Sequence, residues 1–310
     1  MGQGRRQRGR NISGMIVVDK PQGVSSNACL QEVKRIFNAS KAGHTGSLDP
    51  LATGVLPLCL GEATKVSQYL LEADKSYTTR IRLGVRTDTA DSEGTVISER
   101  DASHVSRQDI VNLLPQFTGR INQLPPMYSA LKHQGTPLYR LAREGREVER
   151  QPRAVTIYRL EMTDFMPQEF ELEISCSKGT YIRTIADDLG EALGCGAHVI
   201  ALRRLQAGGF TLANCVTMPA LRAMRPEHTE EPDAFAALDK LLVGADQAVL
   251  QLPAVVLPQS TAWFIKQGQP VMVRHLPADG LVRLYEEQEF IGIGVILDDG
   301  RVAPRRLMTQ

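Results

Sequence analysis

One carboxylate, Asp49, sits in a run of unusual composition: Gly43-His44-Thr45-Gly46-Ser47-Leu48-Asp49-Pro50-Leu51-Ala52-Thr53-Gly54-Val55-Leu56-Pro57. Three glycines, two prolines and one histidine surround it, between two ordinary apolar segments. Glycine opens backbone conformations and close approaches that other residues cannot take. Pro50 confines Asp49 to extended backbone. A loop so constrained holds the carboxylate in one place, as a catalytic group requires and a solvating one does not. Read from spacing alone, the same residues also make an Asx-Pro turn between two core elements. His44, five residues before Asp49, reads on its own as a capping or structural group.

Two further residues belong with these candidates. Tyr77 opens the alternating stretch Tyr77-Thr78-Thr79-Arg80-Ile81-Arg82-Leu83 and by itself is a half-buried strand aromatic. Arg183 ends the string Gly179-Thr180-Tyr181-Ile182-Arg183 and by itself is a solvated helix residue. The five cysteines are scattered and form no C-x-x-C pair, which suits reduced thiols and argues against a disulfide frame or a zinc site. The six histidines show no metal-ligand spacing either, so nothing calls for a metal.

These groups need a scaffold, and 310 residues with 42% hydrophobic and 23% charged content can bury one. No apolar run nears the roughly 20 residues that cross a bilayer, and the N-terminus lacks a secretory h-region. A cytoplasmic protein without membrane contact is expected. Net charge is only +1, so the distribution of charge matters more than its total. Arg5, Arg6, Arg8 and Arg10 form a basic arm. Lys132, His133, Arg140, Arg143, Arg146, Arg150 and Arg153 crowd a second segment, and Arg203-Arg204 and Arg305-Arg306 are adjacent pairs. Such clusters suit RNA as well as a solvated face.

Along the chain, residues 1–12 read as a disordered basic tail. A strand at 15–19 precedes a helix capped at 25–27 that carries Leu30, Val33, Ile36 and Phe37 at helical spacing. A strand at 55–60 and a helix over 63–73 follow the glycine loop. Strands at 77–85 and 95–98 flank an acidic loop, and 106–117 is helical. Residues 124–153 open with Pro125-Pro126 and are basic and weakly periodic, as a functional insertion would be. Strands at 155–164, 169–176 and 198–205 surround a helix at 181–193. This pattern predicts an α+β fold: a mixed, largely antiparallel sheet with flanking helices over 13–248. Residues 218–248 read as a connector with an acidic helix, and from about 249 to 310 short β segments form a small β-rich domain.

The motifs, in order, resemble the TruB family of tRNA pseudouridine synthases from about residue 14 onward. The resemblance begins with Asp19-Lys20-Pro21-x-Gly23-x-Ser25-Ser26, the loop around Asp49, Lys75-Ser76-Tyr77 and Thr87-Asp88-x-x-Asp91. It continues with Pro125-Pro126-x-Tyr128-Ser129-Ala130-Leu131-Lys132, the string ending at Arg183, and Ala197-His198 running into Leu202-Arg203-Arg204.

That resemblance implies a catalytic domain with Asp49 as nucleophile, attack on the base and attack on the ribose both remaining open. It implies that Tyr77 stacks on the target base, that Tyr181 packs on its other side and that Leu202 lines the pocket. Arg183 would pair with Asp49, where a guanidinium within ~4–6 Å favours the ionised carboxylate. His44 would contact the RNA and fill the space left by a flipped-out uridine. No cofactor is implied. Lys20 and Pro21 would serve the loop's architecture, 124–153 would be a mobile thumb over the RNA, and 249–310 a PUA-like RNA-binding module. The expected reaction is uridine to pseudouridine at position 55 in the TΨC stem-loop of tRNA, by a monomer without guide RNA. Two alternatives stand beside it: an RNA-binding or tRNA-folding protein without essential catalysis, and the related guide-RNA-dependent synthase.

Overall fold

The computed structural model describes residues 9–228, 231, 233–277 and 279–308. Strand β1 (Gly14–Lys20) is followed by helix α1 (Ser26–Ile36), then β2 (Ala42–His44) and β3 (Thr53–Leu60). The apolar run of β1 is buried on both faces, as suits a strand paired in parallel with a neighbour. Helix α1 starts where Ser25 Oγ accepts a hydrogen bond from the Ala28 amide at 3.1 Å.

The helix expected over 63–73 is a 3₁₀ segment, Gly61–Val66, running into a short α2 (Ser67–Leu71). Thr64 Oγ1 and Ser67 Oγ each donate to a carbonyl three residues back, at 2.8 and 2.9 Å, which suits the tighter winding. Next come β4 (Lys75–Leu83) and β5 (Val85–Thr87), which the sequence pattern joins but Gly84, at φ +85°, divides. After β6 (Val96–Glu99), α3 (Arg107–Leu113) is set by a capping box between Ser106 and Asp109. Strand β7 (Gly119–Gln123) leads to the insertion, which contains a hairpin of β8 (Lys132–His133) and β9 (Thr136–Pro137) and the helix α4 (Leu138–Arg143).

Strands β10 (Arg153–Met166) and β11 (Glu169–Cys176), helix α5 (Ile182–Ala192) and β12 (Ala197–Ala207) complete this part. Then come β13 (Phe210–Thr211), β14 (Val216–Thr217), α6 (Met218–Ala223) and α7 (Ala236–Asp239). The last elements are β15 (Ala254–Leu257), α8 (Gln259–Lys266), β16 (Val271–Met272), β17 (Leu281–Glu286), β18 (Glu289–Ile296) and β19 (Arg301–Leu307). Helix α8 was not expected among short β segments. Its Thr, Trp, Phe and Ile are strand formers by type, yet Pro258 opens a helical turn and burial of Ala262 and Ile265 fixes it.

The fold is α+β, as expected, and it divides into two compact units. One comprises Met1–Ser47, Val55–Glu72 and Gly208–Gln310; the other comprises Leu48–Gly54 and Ala73–Ala207. In the first, the strands run β14-β1-β3 with β2 antiparallel to β3, over a core that includes Val18, Val33, Phe37 and Leu58. A separate sheet there runs β15-β17-β18-β19-β16. Arg5, Arg6 and Arg8 of the expected tail lie outside the described residues. Arg10 is no part of a free tail: it pairs with Asp239 and stacks 4.1 Å from the centroid of Phe235. Its guanidinium thus has both an opposite charge and an aromatic face to hold it.

In the second unit β12-β4-β11-β10-β7 form an antiparallel sheet, and Thr53 and Gly54 at the start of β3 pair in parallel with Arg203 and Arg204 of β12. Helix α5 packs on this sheet through Ile182, Ile185, Ala186 and Leu189. Gly54, at φ +101°, is where the Asp49 loop enters its strand, and a Cβ there would collide with the carbonyl oxygen of Arg204. Gly54→Ala is therefore expected to lower stability by roughly 1–3 kcal/mol and to displace the loop. Urea unfolding with an unchanged slope and a lower midpoint checks it.

Candidate active site

Leu48 and Leu51 flank Asp49 and are buried at 6% and 5% exposure in the core of the second unit, together with Ile182 and Leu202. Asp49 O also accepts a hydrogen bond from the Ala52 amide at 3.1 Å, closing the turn. Two apolar anchors below and one turn bond leave the side chain between them turned outward, with 41% of it exposed. Leucine burial thus adds an apolar anchor to the rigid loop expected from glycine and proline.

Arg183, in the first turn of α5, meets that carboxylate: Nε lies 2.9 Å from Asp49 Oδ2. Unlike a solvated helix residue, its side chain is only 6% exposed. Nη1 donates to Thr89 O at 2.9 Å and Nη2 donates to Tyr128 O at 2.8 Å. Nη1 is also 3.5 Å from Oδ2 of the buried Asp91. Asp91 is itself held by Thr89 Oγ1 at 2.6 Å and by the Glu93 amide at 3.0 Å, both donating to Oδ1. A buried guanidinium without such partners would be costly. Here one edge is consumed by the surrounding loops and the other is aimed at Asp49.

Tyr77 lies on the inward face of β4, 8% exposed, with Arg204 of β12 as its register neighbour. Burial pushes the Tyr77 phenol above its ordinary value, opposed by the nearby Arg204 charge and reinforced by Asp49. The phenol therefore stays protonated at neutral pH and can donate. Leu202, opposite Thr79, shares this face. Tyr181 precedes α5, and its backbone N–H and C=O both bond to the Gln123 side chain, at 3.0 and 3.1 Å. Its phenol too is pushed up by burial. Asp49, Tyr77, Tyr181, Arg183 and Leu202 thus all belong to the second unit. His44 belongs to the first, half-buried at the end of β2 opposite Leu58.

Arg204 requires a correction. Grouped by sequence with surface cations, it is 1% exposed, because strand alternation puts it on the same buried face as Leu202. That period of two was the signal available. In the sequence Asp91 and Tyr128 stand out only as parts of motifs and Thr89 only as part of an acidic loop, and such a loop gives no sign that its carboxylate turns inward. Lys20 is fully buried, with Nζ donating to Pro21 O at 2.9 Å and Val24 O at 2.6 Å, in keeping with an architectural part. Among the described residues no cluster of three or more His, Cys, Asp or Glu could hold a metal ion.

The open carboxylate on its buried arginine is near enough to Tyr77 on the antiparallel sheet and to Tyr181 at the head of α5 to act on both electrostatically, and known proteins give the chain its class. Residues 34–182 match the N-terminal domain of TruB family pseudouridylate synthases. Residues 183–250 match the tRNA pseudouridylate synthase B C-terminal domain, and 253–308 the pseudouridine synthase II TruB C-terminal domain. The chain belongs to the TruB family of pseudouridine synthases. It is 55% identical to the tRNA pseudouridine synthase B of Yersinia pestis (strain Pestoides F), covering 98% of this chain and 95% of that one. It is 54% identical to the protein of the same name from Pseudomonas aeruginosa (strain UCBPP-PA14), covering 96% and 97%. Among solved structures it is similar to one titled a Cbf5-Nop10-Gar1 complex: 26% identity, TM-score 0.71, covering 95% of this chain and 84% of that one.

Replacing Arg183 by Met would remove the cation beside buried Asp91 and the donors to two carbonyls, so that variant should lose stability as well as turnover. Arg183→Lys is the cleaner test. It keeps the charge but cannot serve both edges at once. Turnover is expected to fall roughly 100-fold while stability falls by about 1–3 kcal/mol; single-turnover rates and denaturant midpoints read the two separately.

Proposed function

We propose that this enzyme isomerises uridine to pseudouridine at position 55, in the TΨC arm of tRNA, with Asp49 as the nucleophile. The observation that carries the reading is the 2.9 Å pair between the open Asp49 carboxylate and the buried Arg183 guanidinium. In the reaction the N1–C1′ bond breaks, a C5–C1′ bond forms, the C5 proton leaves and N1 regains a proton. The substrate and product are isomers, so no electrons are gained or lost. Asp49 serves this by attack on the base or on the ribose. Arg183 holds its carboxylate in register with the pocket, a role in which small displacements cost large factors.

Such chemistry needs the base outside the stack, at a cost of a few kcal/mol. Tyr77 and Tyr181 take the flipped uracil between them, Leu202 lines the floor, and His44 occupies the vacated space in the RNA. The names of the relatives support a tRNA substrate, and action as a monomer without guide RNA is part of the same proposal. The exposed Lys132, Arg140 and Arg143 of the insertion and Arg305 and Arg306 of the C-terminal module (249–310) contact phosphates. Arg150 is set apart from them: it is only half-exposed, donates to Pro125 O at 3.0 Å and pairs with Glu147, so it serves the insertion's own fold.

Asp49→Asn is expected to abolish tritium release from tRNA labelled at C5 of uridine, while tRNA affinity stays within about 3-fold; turnover near wild type overturns the assignment. Conversion of a tRNA with cytidine in place of uridine 55 would reject the position. The triple change Lys132→Ala, Arg140→Ala and Arg143→Ala should flatten the salt dependence of binding by roughly 0.7–0.9 for each phosphate no longer neutralised. An unchanged slope in filter-binding titrations would make this segment an ordinary solvated face.

A further inference from the structure

The root of the insertion at 124–153 meets the reacting pair at Tyr128. Tyr128 lies at its root, and the Tyr128 carbonyl accepts from Arg183 Nη2 at 2.8 Å. The same residue's phenol donates to Asp88 Oδ2 at 3.3 Å. Asp88 is the covalent neighbour of Thr89, whose carbonyl accepts from Arg183 Nη1 at 2.9 Å. The four residues therefore close a ring: Arg183 to Thr89, along the chain to Asp88, across to Tyr128, and back to Arg183. Asp88 is steadied on its other oxygen by the Thr95 amide at 2.8 Å, and Gly94 gives this turn room, since a Cβ there would collide with Thr89 and Asp88.

Both amino groups of the guanidinium thus donate to carbonyls whose chain segments the Tyr128–Asp88 bond links. Only Nε, the edge facing Asp49, is left outside the ring. A displacement of the insertion root moves one carbonyl against the other and rotates the guanidinium. We propose that Tyr128 is a positioning residue through which RNA seated on the 124–153 insertion sets the geometry of the Asp49–Arg183 pair. The inference rests on the function proposed above. Its hydroxyl touches no reacting atom; it acts by way of Asp88 and Arg183. Half-buried and paired with a carboxylate, the phenol is also held protonated, since burial and the Asp88 charge both push its pKa upward.

The test is a double-mutant cycle in the full chain with Tyr128→Phe, Asp88→Ala and the two combined. Each variant is measured for single-turnover rate at saturating enzyme, for tRNA dissociation constant and for unfolding midpoint. Removing the one hydroxyl in Tyr128→Phe is expected to slow single turnover roughly 3- to 10-fold, with affinity and unfolding midpoint unchanged. In the Asp88→Ala background the same change is expected to cost nothing further. Wild-type turnover in the same assay tells this inference from the function it rests on. A wild type that turns over, matched by Tyr128→Phe, overturns the positioning role and leaves the function standing. A loss confined to the dissociation constant, or one that recurs undiminished in the Asp88→Ala background, overturns it as well.

Discussion

A guanidinium buried to 6% exposure must have its donors satisfied by the protein, and the second unit is arranged around that demand at Arg183. Three separate stretches of chain answer it, meeting the arginine where α5 presents it: the Asp49 loop, the turn with Thr89 and Asp91, and the insertion root at Tyr128. Each stretch is irregular where it meets Arg183. Left alone, such segments would adopt many conformations. The cation gathers them because a departure leaves a buried charge or a buried donor without a partner, at a cost of roughly 1–3 kcal/mol for each donor.

A second constraint operates at right angles to the first. Hydrophobic burial decides depth: Leu48 and Leu51 sink beside Ile182 and Leu202, while Tyr77 presses up from β4 in the same cluster. These contacts are non-directional, so they set how far the loop descends without aiming a particular oxygen. The ion pair to Arg183 does the aiming. Position and direction at Asp49 thus come from different forces, and either can be perturbed without the other.

The regular framework could be read from the residues because its causes are local. Ser25 as a cap, the alternation of β4 and β11, and the apolar spacing of α5 each lie within one segment. The misreadings share a different cause. Helix α8 exists because Ala262 and Ile265 find a core to fill, and Arg10 is held because Asp239 and Phe235 arrive from far along the chain. The candidate site divides the same way. Asp49 announced itself through its glycine and proline neighbours. The burial of Arg183 and Arg204, and the inward turn of Asp91, depend on strands and loops distant in sequence. For these, residue type alone pointed to solvent, the opposite of where they lie.

The path of the chain through the two units has a genetic consequence. Leu48–Gly54 is a seven-residue excursion into the second unit from flanks that belong to the first, and the rest of that unit is the unbroken stretch Ala73–Ala207. A gene fragment spanning 73–207 would therefore encode the antiparallel sheet, Tyr77, Asp91, Tyr181, Arg183 and Leu202, yet not the Asp49 carboxylate that Arg183 meets. No single cut can hand on the chemistry with that sheet alone. Recombination or domain shuffling can transmit that carboxylate with the sheet only by carrying along the β2–β3 connection and the first-unit chain on either side of it, which binds the inheritance of the two units together more tightly than a division into separate contiguous domains would.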